Sequence, residues 1–196
     1  MLGIFLDTET NGLNSRKHKV LEIAYKIIDM ETGALISAFE SVISQPEDVW
    51  KGSDPASLKV NGFTWEEVVK GAPVSMVASS IIAEFKKHDI RRGSAVFICQ
   101  NPSFDRAFFG QIIDPDKQEE FLWPYHWLDL ASMHWKGAIE RGKQNPALFP
   151  WNTGFSKDKI ALAHNLPKEN APHRAMNGVN HLLLCYEKVV GFPQNS

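Results

Sequence analysis

Asp7 and Glu9 stand two residues apart, directly after the short apolar run of residues 2–6. A strand sends residues i and i+2 to the same side, so the two carboxylates converge on one spot. Like charges that close repel, and a hard divalent cation held by oxygens is the usual remedy. Asn11-Gly12 then turns the chain, which leaves the pair at the open end of a sheet. Taken alone, the pair fits a strand end with two solvated acids equally well. Two further groups of suitable chemistry lie far along the chain. Asp105 closes the stretch Gln100-Asn101-Pro102-Ser103-Phe104-Asp105, and His173 precedes the last apolar stripe. Asp105 also reads as a first-turn acid that complements a helix dipole.

The elements that must position these groups follow from patterning. Residues 2–6 and 95–99 are short apolar runs of the kind buried on both faces of a sheet. Residues 20–30 and 34–44 cluster β-branched side chains about Glu31-Thr32-Gly33, a hairpin signal. Between the first two strands, residues 15–19 form a basic connection, readable as a solvated loop or as a phosphate contact. Residues 45–62 are rich in Pro, Gly, Asp and Ser and predict a surface loop. Thr64-Trp65-Glu66-Glu67 has capping-box spacing. Pro73 predicts a helix start, with Val74, Val77, Ile81 and Phe85 as its inward stripe. Ser103 predicts the cap of a helix carrying Phe104 and Phe108. Residues 137–154, broken by glycines and prolines, predict a loop. Ser156 predicts the start of a short helix, residues 165–172 a loop, and residues 175–190 a long amphipathic helix.

Composition narrows the function classes. The 196 residues are 43% apolar, enough for one packed domain over 1–196 and short for two. A net charge of −2 excludes a polybasic protein that coats nucleic acid through bulk charge. The two cysteines, Cys99 and Cys185, sit in apolar surroundings without CxxC spacing and read as reduced core thiols of a cytoplasmic protein. No signal peptide or membrane span is expected. The six tryptophans are spread irregularly and read mainly as packing.

Taken together, Asp7-Thr8-Glu9-Thr10, the stretch 101–105 and His173-Arg174-Ala175 resemble the three motifs of the DEDDh 3′–5′ exonucleases. These form the DnaQ-like, RNase T group of the ribonuclease H-like fold. The resemblance runs over roughly residues 2–190 and includes residues 57–64, which are similar to the family's segment ahead of its first helices. It implies an α/β fold with a mixed central sheet flanked by helices. It further implies hydrolysis of phosphodiester bonds at 3′ ends of single-stranded DNA or RNA, with two cations, Mg²⁺ or Mn²⁺, and His173 as general base. Asp7 would bridge the ions, Glu9 would hold the one on the nucleophile side, and Asp105 would support the other. Thr8, Thr10, Leu13, Asn101, Phe104 and Phe108 would contact substrate, although Phe104 and Phe108 fit a core role as well. A polymerase or another protein partner is compatible with this family.

One position departs from the pattern. The family's third motif places a metal-binding Asp five residues after the histidine, and this chain has Gly178 there. Asn177, Asn180 and Asp158 are the oxygen donors that could substitute. The departure fits a weakened nuclease or a variant that recruits water or a substrate oxygen as the missing ligand; for the weakened nuclease, an Asp restored at 178 is expected to tighten the metal at no cost to folding. The alternative is a non-catalytic module of the same fold that grips nucleic acid ends or a polymerase. A phosphohydrolase using an aspartyl nucleophile fits less well, since Glu9 stands where that chemistry wants a second Asp.

Overall fold

A computed structural model describes residues 1–195, so Ser196 lies outside the described residues. The strands are β1 (Leu2–Thr10), β2 (Val20–Asp29), β3 (Leu35–Val42), β4 (Ala95–Cys99) and β5 (Trp127–Asp129). They form one mixed sheet in the order β3-β2-β1-β4-β5. β1 runs antiparallel to β2 and parallel to β4, and therefore lies at the centre. The helices in chain order are α1 (Glu47–Lys51), α2 (Pro55–Asn61), α3 (Trp65–Val68), α4 (Val74–Lys87) and α5 (Pro102–Ile112). After them come α6 (Pro115–Glu120), α7 (Leu130–Gln144), α8 (Pro150–Thr153), α9 (Lys157–Ala163) and α10 (Ala175–Val189).

The apolar run of β1 is buried because both faces of the sheet are covered. Ile4 and Leu6 face a layer containing Phe85 of α4 and Phe108 and Phe109 of α5. Phe5 faces the other layer, with Leu130 of α7, Ile160 of α9 and Leu182 and Cys185 of α10. Burying that much aliphatic and aromatic surface is the main term holding the layers together, at about 25 cal/mol per Å². Both cysteines are buried and unpaired. Among the described residues no helix is long and apolar enough to cross a membrane.

Two stretches expected as loops contain helices, for identifiable reasons. In residues 45–62 the turn-forming residues are helix boundaries. Asp54 accepts from the Ala56 N–H at 2.9 Å, Pro55 is the first residue of α2, and Gly62 ends it in the left-handed region at φ 66°. In α7, both Asp129 oxygens cap the first turn, accepting from Ala131 and Ser132. Its buried residues are Leu130, His134, Ala138 and Gly142, a helical stripe too poor in large apolar side chains to show as hydrophobic periodicity. Gly142 lies under the Phe149 ring, where a Cβ would overlap it.

Candidate active site

β1 pairs with β4 only as far as Phe5 opposite Ile98, but stays paired with β2 to its end at Thr10. Past the end of β4 the two sides of the sheet can meet, and a cleft of about 490 Å³ opens there. Asp7 and Glu9 share the face of Phe5, towards α10, while Thr8 points the opposite way. The Thr8 hydroxyl donates to Oδ1 of Asp105, the carboxylate that α5 supplies from the other layer, at 2.8 Å. Asn101 starts α5 in the left-handed region, at φ 59°. Its N–H donates to Asp129, and the Ser103 hydroxyl donates to its side chain. Asn101, not Ser103, therefore occupies the cap position.

His173 enters the cleft from the segment before α10, with its side chain 41% exposed. Its backbone N–H donates to Val60 O of α2 at 3.1 Å, and Nδ1 stands 3.8 Å from Glu169 Oε1. Glu22, directly opposite Glu9 in the β1–β2 register, accepts the Ala175 N–H at 2.7 Å and so caps α10 from the sheet. The segment carrying His173 is thus pinned at both ends.

Two residues that pattern reasoning does not single out lie in the same cleft. Lys157, first residue of α9, sends its ammonium to Asp7 Oδ1 at 3.3 Å, Glu169 Oε2 at 2.9 Å and the Gly178 carbonyl at 3.4 Å. The side chain of Glu169 is 3% exposed, and its backbone N–H donates to Asp158. A charged side chain in a polar stretch ordinarily reads as solvated, and no spacing links either residue to a motif. Gly178 packs against Asp7, and a Cβ there would overlap the carboxylate, 2.6 Å from its Cγ. The expected place of the fourth acid therefore has no room for a side chain while Asp7 stays where it is. Asn177 and Asn180 border a different depression, beside Pro167 and Leu184.

Electrostatics reflect four acids sharing one site. Burial, then the charge of Asp7, pushes Glu9 up to about 8. Burial raises Asp7 as well, against the pull of Lys157, and burial together with Asp7 raises Asp105 well above the carboxylate range. For Glu169 burial works upward too, but His181 and Lys157 outweigh it and hold the carboxyl at about 2. Lys157 keeps its charge because Asp7 and Glu169 overcome the cost of its burial. Acids that retain protons for want of positive charge suit a divalent cation, and Asp7, Glu9 and Asp105 line the cleft where one would sit. Among the described residues no three His, Cys, Asp or Glu side chains are already drawn together tightly enough to grip an ion.

Of the residues expected to touch substrate, Thr8, Leu13, Asn101 and Phe104 line the cleft. Thr10 does not, since its hydroxyl donates to the Gly12 carbonyl within its own turn. Phe108 is fully buried, its ring 4.8 Å from that of Phe104, and belongs to the core beneath the site.

The family model RNase T, described as "Exonuclease", matches residues 4–179. The chain is 24% identical over 153 residues to the oligoribonuclease of Nitrosomonas europaea, covering 71% of this chain and 79% of that protein. It is 26% identical over 110 residues to ribonuclease T of Histophilus somni, covering 54% and 50%. Its fold is similar to E. coli ExoI in a zinc-bound complex with single-stranded DNA, with a TM-score of 0.72 at 19% identity. That match takes in 96% of this chain but 40% of the ExoI chain, so the chain spans well under half the length of that structure. A match over almost the whole chain is decisive: the chain belongs to the RNase T exonuclease family, the DnaQ-like 3′–5′ exonucleases of ribonuclease H-like fold.

Proposed function

We propose that this chain is a divalent-metal-dependent 3′–5′ exonuclease acting on single-stranded DNA or RNA ends, with His173 as the general base. The observation that carries the reading is the meeting of Asp7, Glu9, Asp105 and His173, from three distant segments, in one cleft. A divalent ion bound there supplies Lewis-acid stabilisation of the phosphoryl and leaving oxygens. Asp7, Glu9 and Asp105 would hold it. His173 accepts the proton of the attacking water as the new P–O bond forms and the bond to the 3′ oxygen breaks, releasing a nucleoside 5′-monophosphate. Glu169, facing Nδ1, balances the charge of the imidazolium. Leu13, exposed at the rim, is placed to wedge against the terminal base.

An aromatic cluster joined to the cleft through Phe155 and Gln100 supports the single-strand preference. Trp151 is 59% exposed, with one face stacked on Phe149, and neighbours Trp135, which packs against Phe155. The Phe155 carbonyl accepts from Gln100, which itself lines the cleft. Unpaired bases leaving the site can stack there, whereas paired bases are already stacked. The relatives named oligoribonuclease and ribonuclease T favour RNA, and the ExoI complex favours DNA. An ExoI/SSB-Ct complex of the same fold makes a protein partner reasonable.

The test is digestion of 5′-labelled single strands carrying a free or a blocked 3′ end, in Mg²⁺ and in EDTA. Stepwise shortening of the free end only, absent in EDTA and absent in Asp7→Asn, is expected. The presence of Lys157 among the acids favours one second reading, an end-binding module, because a fixed ammonium can hold a phosphate without cleaving it. Tight binding of ends with no shortening in either Mg²⁺ or Mn²⁺ would select that reading.

A further inference from the structure

We infer that the Lys157 ammonium, gripped by Asp7 and Glu169 beside Gly178, takes the place of one of the two cations, so that this site holds a single divalent ion. The inference rests on the metal-dependent reading above and specifies its cofactor requirement.

Three observations converge on it. The first is steric. The helical turn that would offer the fourth acid presents only the backbone of Gly178, close enough to Asp7 that a Cβ would overlap the carboxylate. An ion on that side loses a ligand that cannot be supplied from the same place. The second is the coordination of the ammonium itself. Its three N–H groups face three oxygens, Asp7 Oδ1, Glu169 Oε2 and Gly178 O, at 3.3, 2.9 and 3.4 Å. Its side chain is 12% exposed, so little of it is left to water. Asp7 Oδ1 already accepts from the ammonium, so a second cation on that carboxylate would have to share it with a fixed positive charge.

The third observation is the origin of Glu169. It comes from the loop after α9, not from α10, and it faces both Lys157 and His173. The site does hold a fourth carboxylate, but it faces the ammonium and the base. Lys157 and Glu169 thus act as a built-in replacement pair, the cation fixed by a covalent stem and the acid set to hold it. A permanent ammonium needs no dissolved metal to be present. It also repels a second divalent ion, since like charges a few ångströms apart interact strongly in a partly solvated site.

The experiment counts bound ions rather than turnover. Equilibrium dialysis and Mn²⁺ electron paramagnetic resonance on the full chain should give one Mn²⁺ per chain. Lys157→Met removes the charge at similar length and should admit a second Mn²⁺, while Lys157→Arg should still bind one. Two Mn²⁺ in the unaltered chain would overturn the inference while leaving the metal-dependent reading intact. One Mn²⁺ in both the unaltered chain and a folded K157M would overturn it as well, because the ammonium would then block nothing. No bound Mn²⁺ at all would remove the metal-dependent reading and this inference with it. Should K157M fail to fold, the unaltered chain and K157R still decide: one ion in each supports the replacement, and two in either refutes it.

Discussion

The hydroxyl of Thr8 donates to Asp105 Oδ1 across the end of the sheet, joining a strand residue on one face to a helix residue ninety-seven positions later. Both partners are buried, so the bond has no water to replace it. Thr8→Val keeps the shape and removes the donor. The expected loss is about 1–3 kcal/mol for a buried acceptor left without its partner, read from urea unfolding. The hydrogen bond also favours the ionised carboxylate, so a Mg²⁺ titration of nuclease rate should shift to higher concentration. A midpoint within error of the unaltered chain in both measurements would show that Asp105 is held by other means.

Gly178→Asp should damage the protein. The new Cβ would overlap the Asp7 carboxylate and add a fifth acid to the four already sharing the site. Overpacking of this kind costs about 1–3 kcal/mol, and displacement of Asp7 should lower activity at every metal concentration. Thermal unfolding and a Mg²⁺ titration check this. A stable and faster variant would mean that α10 can move outward.

His173→Ala should lower kcat by about 10² to 10⁴-fold and change KM little, because a general base acts in the transition state. Single-turnover rates with saturating oligonucleotide separate the two. Equal losses in binding and turnover would assign His173 to positioning.

Without metal, stability should fall as pH rises from 6.5 to 8. Glu9 titrates near 8 in the folded chain against an ordinary 4.5, chiefly because it is buried, and Asp7 and Asp105 are raised in the same sense. The folded state then holds protons that the unfolded state has lost, so stability present below pH 4.5 is lost as pH rises through 8. His134, lowered to about 4 by burial, has the opposite sign but acts only below 6.5. His181, raised to about 10 by Cys185 and Glu169, adds a slope that metal does not change. Melting temperatures in EDTA and in Mg²⁺ across this window should diverge, the EDTA curve falling faster. Parallel curves would place the metal elsewhere.

Trp151→Ala should weaken binding of a single-stranded oligonucleotide by about 1–3 kcal/mol, the worth of one base–aromatic stack. Fluorescence anisotropy in EDTA measures it, and thermal unfolding should show little change because the ring is mostly exposed. Unchanged affinity would return Trp151 to a packing role against Phe149.

The parts of the site legible in sequence are those in which chemistry and local structure coincide. Asp7 and Glu9 extend an apolar run, Asp105 follows a strand-to-helix turn, and His173 precedes a stripe at helical spacing. Their meeting follows from the parallel β1–β4 pairing that such runs require. Lys157 and Glu169 lie outside this logic: spacing shows that an acid is missing at 178, but not which distant charges pack beside the gap. Helix α7 is missed for a related reason: its buried face uses His134, Ala138 and Gly142, residues that carry little hydrophobic signal. Glu22 is hidden by its strand, where an inward acid looks like a pattern error until α10 is seen to begin on it.

Lys157, Glu169, His173 and Gly178 all fall within residues 157–178, whereas Asp7 and Asp105 lie on separate segments far from it. Everything that distinguishes this site from the four-acid pattern is thus carried on one continuous stretch of chain. Such a stretch can be exchanged as a unit: grafted onto a four-acid relative it would bring the ammonium, its holding acid and the bare helix turn together, with no intermediate in which a buried charge lacks its partner. Under the single-ion inference, exchange of this one stretch would suffice to change the metal requirement, where stepwise substitution would pass through a chain with either a buried lone lysine or two acids competing for the room beside Asp7.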